Sequence, residues 1–242
     1  MKKNLVIVLA GGSGTRVAGT KPKQFLHLCG KPILAHTLEK FHTHPRVTDI
    51  FVVSHPQFCG DTVAIVEKLG FLKVRKVLNG GASRQESSRI GVLAASDEYE
   101  NVLIHDAVRP FVPQTLIDRL LLELETCPAV VSALPPSDTL VTVDKQDCVS
   151  AVLDRGVLRA VQTPQAFKLE LIQKAHRLAP ENHLENAGDD CSLVVSLGLA
   201  KVRVILGPPE NIKITYPQDL ALAEYILEQA SSQNFSGGTW KM

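Results

Sequence analysis

Two cations follow a glycine-rich turn near the start of the chain. Gly11, Gly12 and Gly14 come directly after Ala10, Arg16 follows, and Lys23 sits seven residues later in Lys21-Pro22-Lys23-Gln24. Glycines let backbone N–H groups approach an anion closely, because no Cβ stands in the way. Two cations nearby can then clamp a polyphosphate from their side chains, and Pro22 stiffens the chain just ahead of Lys23. The combination points to a nucleoside triphosphate site. Two common glycine fingerprints do not fit it. Gly12-Ser13-Gly14 begins a GxGxxG pattern, but the third glycine falls on Val17, with Gly19 two residues late, and no Gly-Lys-Ser/Thr follows for a P-loop.

Three further clusters carry chemistry. The apolar run Val102–Ile104 ends in His105-Asp106-Ala107-Val108-Arg109-Pro110. A buried strand ending in Asp106 sets a carboxylate at the carboxyl edge of a sheet, which suits Mg²⁺ held through one or two carboxylates and substrate phosphates. The plainer reading has Asp106 capping a turn or pairing with Arg109, and His105 packed or hydrogen-bonded. Gly80-Gly81 precedes Ser83, Arg84 and Ser87 at a helix start, supplying N–H donors and a cation. Ser83 and Glu86 also spell a plain capping box. Late in the chain come Gln162-Thr163-Pro164-Gln165 and Asn211-Ile212-Lys213, whose lysine lies in a polar loop and can reach a phosphate.

The elements that position these residues alternate. Strands are expected at Leu5–Leu9, Ile50–Val53, Lys73–Val77, Val102–Ile104, Ala129–Ala133 and Val202–Ile205. Helices are expected at Ile33–Phe41, Thr62–Leu69, Gln85–Ala95, Pro113–Glu125 and Leu169–Leu178. Such alternation builds parallel βαβ units under a doubly wound sheet, with ligands at the carboxyl ends of the strands. From about residue 137 to 162 the alternation breaks into Thr139–Val143 and Val149–Leu153, a hairpin arm that needs something to pack on, such as a second subunit. Residues 1–230 read as one domain, and the polar, glycine-bearing stretch 231–242 as a flexible tail.

Bulk properties exclude other classes. Of 242 residues, 45% are hydrophobic and 21% charged, and 26 basic against 25 acidic residues leave a net charge of +1. No global field draws in nucleic acid or an anionic membrane, so anion binding depends on locally placed cations. The five cysteines are odd in number and form no CxxC pair, which favours reduced, mostly packed thiols in a cytoplasmic protein. The first apolar run is too short for a signal peptide, and no stretch reaches the ~20 apolar residues of a membrane span.

Taken in order, LAGGSGTR, PKQF, GGASRQES, HDAVRP, Asp138-Thr139, Asp154-Arg155, QTPQAF, DDCSLV and NIKIT resemble the cytidylyltransferases that make CDP-linked alcohols, especially the 2-C-methyl-D-erythritol 4-phosphate cytidylyltransferase family. The similarity runs from about Leu5 to Leu227. It implies an α/β, Rossmann-like fold of the nucleotide-diphospho-sugar transferase type, with a mostly parallel sheet flanked by helices and a β-arm that makes a homodimer. It implies that Arg16, Lys23 and Lys213 act in catalysis, the first two on the phosphates of CTP. Ala10, Gly11, Gly12, Gly14, Gly81, Arg84 and Ser87 then line the nucleotide pocket, with Asp106 on its ribose and Mg²⁺ side. Arg109, Thr163 and Lys213, with Thr139 and Arg155 from the partner's arm, hold the acceptor phosphate. The implied reaction is a step of non-mevalonate isoprenoid biosynthesis. Two positions depart from the pattern: Leu140-Val141 stand where many relatives carry a basic residue, and Gly188-Asp189 replace Thr-Asp. HDAVRPF, PKQFL and DTLV are also similar to ribitol 5-phosphate cytidylyltransferases.

The residues support such chemistry without the family name. A phosphate monoester already carries roughly −1.5 to −2 charge at pH 7, so its attack on a phosphorus needs charge neutralisation and in-line placement rather than a general base. The rivals are a non-catalytic nucleotide-binding protein, which the set Arg16, Lys23, Asp106 and Lys213 opposes, and a nicotinamide oxidoreductase, which the failed GxGxxG spacing opposes.

Overall fold

Leu5 to Ala10 is apolar at every position, and a strand of that kind has no face to offer water. It must lie inside a sheet covered on both sides. In the computed structural model, which describes residues 3–12, 22–184 and 187–233, this run is the third strand from one edge of a seven-stranded sheet. In chain order the elements are β1 (Lys3–Ala10), β2 (His27–Leu28), β3 (Lys31–Pro32), α1 (Ile33–His42), β4 (Asp49–Ser54), α2 (Cys59–Lys68), β5 (Val74–Asn79), α3 (Arg84–Leu93), β6 (Tyr99–Asp106) and α4 (Gln114–Glu123). Then follow β7 (Ala129–Leu134), β8 (Val141–Val143), β9 (Val149–Val152), β10 (Ala160–Lys168), α5 (Leu169–Leu178), α6 (Asp190–Ser196), β11 (Arg203–Leu206) and α7 (Pro217–Gln233).

The sheet order is β11-β7-β10-β6-β1-β4-β5. All neighbours are parallel except β10, which runs antiparallel to both β6 and β7. Alternate side chains go to opposite faces. Val6, Val8, Val52 and Leu103 pack with α1 and α4 on one face, while Leu5, Ile7, Val53 and Ile104 pack with α3, α5 and α6 on the other. Register then positions the site. Ala10 lies beside Ser54, Ser54 beside Asn79, and Leu9 beside Asp106, so the loops after β1, β4, β5 and β6 leave the sheet at one edge.

The expected mostly parallel sheet and its flanking helices are present, and the expected strands and helices lie within a few residues of the observed ones. Three differences have physical causes. Strand β10 was not expected, because Pro164 and two glutamines hide its pattern; pairing with β7 shifts between Val161 and Gln165, which absorbs the missing N–H of Pro164. The arm expected over 137–162 therefore ends earlier, since 160–162 already belong to the sheet. Within it, β8 and β9 form a separate two-stranded ladder with Val141, Val143, Val149 and Val152 exposed. Helix α7 was also not expected, and it carries Ser231–Gln233 of the expected tail; residues 234–242 lie outside the described residues. None of the five cysteines is paired, but Cys29 and Cys148 are exposed and the other three half-buried, so the thiols are less packed than expected. No helix among the described residues is long and apolar enough to cross a membrane.

Gly91 sets how closely α3 approaches the sheet. A Cβ there would lie 2.7 Å from Cγ2 of Ile7 and 3.0 Å from Cγ2 of Val53. Both are stiff, buried, β-branched neighbours that cannot step aside. Gly91→Val is expected to cost about 2–3 kcal/mol by overpacking, read as a lower midpoint in urea unfolding. An unchanged midpoint would show that α3 docks more loosely.

Candidate active site

The loops at the carboxyl edge enclose a cavity of about 450 Å³. Ala10, Gly11, Gly12, Lys23, Gly81, Arg84, Ser87, Asp106 and Lys213 line it together, although they come from five separate stretches of chain. Gly14 and Arg16 lie outside the described residues. Arg109 and Thr163 stand behind Asp106 rather than on the cavity wall. Thr139 and Arg155 are exposed on the arm, where Nη1 of Arg155 donates to the Ser137 carbonyl at 2.8 Å.

Asp106 ties the cavity together. Its Oδ2 accepts from Nζ of Lys213 at 2.7 Å, and its Oδ1 accepts from Nε of Arg84 at 3.3 Å. The plainer expectations, a turn cap or a pair with Arg109, give way to these two bonds. Burial pushes the Asp106 carboxyl upward, but Arg84, Lys213 and Arg109 more than reverse this and hold it well below the usual carboxylate range. Arg84 opens α3, and its Nη1 donates to Oδ2 of Asp190 at 2.9 Å. Burial alone would lower the Arg84 guanidinium, but Asp190 and Asp106 raise it, so it stays charged.

The glycines answer to close contacts. A Cβ on Gly11 would stand 2.9 Å from Oγ of Ser87, and the N–H of Gly81 donates to that same Oγ at 3.2 Å. Ser87 therefore joins the two glycine turns. The capping box is half formed: Ser83 accepts from the Glu86 N–H at 3.0 Å, but the Glu86 side chain accepts from the Ala82 N–H instead. Gln24 was not singled out in sequence. Its Nε2 donates to the carbonyls of Ala10 (2.7 Å) and Gly12 (3.1 Å), fixing the path of the first turn; its place beside Lys23 in PKQF was the available signal.

A buried network supports Asp106 from below. Nε2 of His105 donates to the Arg109 carbonyl at 2.9 Å, which leaves Nδ1 as the acceptor for the Thr163 hydroxyl at 3.0 Å. The Thr163 oxygen in turn accepts from the N–H of Asp106 at 3.1 Å. His105 is thus hydrogen-bonded, as expected, and the proton of Thr163 is committed to it. Arg109 donates from Nη1 to the Asn211 carbonyl at 2.8 Å, and Asn211 donates to the Thr163 carbonyl at 2.8 Å, linking the Lys213 loop to β10.

Comparison with known proteins fits this geometry. The IspD family model, 2-C-methyl-D-erythritol 4-phosphate cytidylyltransferase, matches residues 4–229. The chain belongs to this family. It is 41% identical to the 2-C-methyl-D-erythritol 4-phosphate cytidylyltransferase of Geotalea uraniireducens, over 94% of this chain and 97% of the relative. It is 38% identical to the ribitol-5-phosphate cytidylyltransferase of Vibrio parahaemolyticus, over 93% and 96%. The crystal structure of 4-diphosphocytidyl-2C-methyl-D-erythritol synthase from Anaerococcus prevotii superposes with a TM-score of 0.81 at 28% identity, covering 94% of this chain and 99% of that one. Membership makes the protein a nucleotidyltransferase on an α/β fold of the IspD type.

The His105 network has a pH signature. Burial lowers the ring from its ordinary 6.5 to about 4, against the raising effect of its bond to Arg109. The folded value lies below the unfolded one, so the unfolded chain takes up the proton first as pH falls. Stability from this source is complete above pH 6.5 and declines by roughly 3 kcal/mol down to about pH 4. Urea unfolding should lose about 2 kcal/mol more between pH 7 and pH 5 in the wild type than in His105→Gln. His36 and His44, also lowered by burial, add the same decline to both proteins. Equal pH slopes would contradict the neutral, buried imidazole.

Proposed function

We propose that the protein transfers CMP from CTP to 2-C-methyl-D-erythritol 4-phosphate, giving 4-diphosphocytidyl-2-C-methyl-D-erythritol and pyrophosphate. The observation that carries this reading is the charge of the cavity: among the described residues, Lys23, Arg84 and Lys213 line it with one carboxylate, Asp106. An oxygen of the acceptor phosphate attacks the α-phosphorus, the bond from that phosphorus to the bridging oxygen breaks, and its electron pair leaves on pyrophosphate. The attacking group is already largely dianionic at pH 7, so no proton need be removed. The work left to the protein is to align the two anions and to neutralise charge as it moves outward, which fixed cations do without reorganising. Lys23, on the cavity wall with Gly11 and Gly12, is assigned to the triphosphate, as is Arg16 from the sequence. Lys213 is assigned to the acceptor side of Asp106.

Mg²⁺ fits this cavity in one manner. No group of three His, Cys, Asp or Glu side chains gathers among the described residues, so a protein cage is not offered. A magnesium ion that takes one carboxylate, Asp106, and otherwise phosphate and water oxygens matches the donor set. When bound, it supplies further neutralisation of the phosphates.

The acceptor follows from Asp154-Arg155, QTPQAF and DDCSLV, which favour methylerythritol phosphate over ribitol phosphate. The arm, two short strands with exposed valines, is marginal alone and is assigned to pack on a second copy of the chain. That placement brings Thr139 and Arg155 to the partner's acceptor site, with Arg109 and Thr163 behind it. Five unpaired cysteines suit the reducing cytoplasm.

The test is pyrophosphate release from CTP and Mg²⁺ with 2-C-methyl-D-erythritol 4-phosphate, D-ribitol 5-phosphate or no acceptor. Release with the first and little with the others is expected, and Arg155→Ala should raise KM for the acceptor at least tenfold more than KM for CTP, on the order of one lost charge-assisted contact. Preference for ribitol phosphate would replace the acceptor, and equal effects of Arg155→Ala on both KM values would remove it from the acceptor site.

A further inference from the structure

Asp190 is a buried, multiply bonded charge that the reaction does not use directly. It opens α6, within the DDCSLV segment, and its side chain is 1% exposed. Its Oδ1 accepts from the Ser88 hydroxyl and from Nε2 of His176, at 2.5 and 3.1 Å, while its Oδ2 accepts from Nη1 of Arg84 at 2.9 Å. His176 comes from α5, where it is fully buried, and Ser88 from α3, also fully buried. Side chains from α3 and α5 thus converge on one carboxylate of α6, and that carboxylate grips one end of Arg84. The other grip is Asp106, on Nε. Held at both points, the planar guanidinium cannot rotate, and its Nη2 is buried with no partner among the described residues. Burying an ion pair in this manner is an expensive route to stability, since apolar packing of equal volume commonly does as well. What it does supply is a cation whose orientation is set before the ligand arrives.

Resting on the nucleotide reading of the cavity, we propose that Asp190, braced by His176 and Ser88, is a positioning residue that fixes the orientation of Arg84, whose cationic side chain lines the cavity, for the bound nucleotide. Asp190 touches no substrate itself. Its effect passes through Arg84 alone, so it belongs to nucleotide binding and not to the acceptor.

Calorimetric titration of CTP into wild type, Asp190→Asn, Arg84→Ala and the double variant, with melting temperatures, separates this role from a structural one. Asp190→Asn should weaken CTP binding about tenfold, as expected for loss of a charge-assisted bond, with KM for the acceptor unchanged. In the Arg84→Ala background it should weaken CTP binding no further, because the residue it positions is gone. Ser88→Ala, which keeps the charge and removes one brace, should shift CTP affinity in the same direction by less, and it carries the test if Asp190→Asn does not fold. Unchanged CTP affinity in the variants, or additive losses in the double variant, would overturn the proposal. A wild type that does not bind CTP at all would instead refute the nucleotide reading.

Discussion

The structure around the cavity depends on one buried carboxylate that keeps company with three cations. Arg84, Arg109 and Lys213 all act on Asp106, and each would repel the others without it. Ion pairs of this kind contribute little net stability, because desolvation opposes their attraction. Their value lies in geometry. A site that must receive a triphosphate and a second phosphate needs cations already in place, and cations stay in place only when something anionic holds them.

The rest of the fold can be understood as the means of bringing that carboxylate and its partners together. Parallel register sets Leu9 beside Asp106 and Ala10 beside Ser54, so both glycine turns open next to the acid. Antiparallel β10 then passes along β6 and lays Thr163 under the Asp106 amide. Asn211 fastens the Lys213 loop to β10 through the Thr163 carbonyl. Each contact uses a backbone group or a neutral side chain, which leaves the charged groups free for one another and for the ligand.

Much of this was legible in the sequence, and the gaps have definite causes. Apolar runs such as Leu5–Ala10 announce buried strands, and Gly-rich turns after them announce anion sites, because both signals are local. Strand β10 escaped because its proline sits in a register shift, which only the neighbouring strand reveals. Helix α7 escaped within a stretch of ordinary composition. Among the site residues, Lys23, Arg84 and Asp106 stand out as charges near glycines or a strand end, while Lys213, unremarkable alone, gains meaning from their company. Asp190, His176 and Gln24 do not, since their importance comes from partners 12 to 106 residues away. The placement of Arg109 and Thr163 is also tertiary: the Thr163 hydroxyl is engaged by His105 and the Asp106 amide, Arg109 gives Nη1 to the Asn211 carbonyl, and neither residue lines the cavity.

The most direct measurement is turnover of Asp106→Asn, which keeps the shape of the side chain and removes its charge. Pyrophosphate release at saturating CTP and acceptor should fall at least about a hundredfold, the scale associated with losing preorganised electrostatic stabilisation, in a protein that still melts cooperatively. Turnover within about twofold of wild type, a change worth under ~0.5 kcal/mol of barrier, would contradict the claim that this carboxylate organises the site.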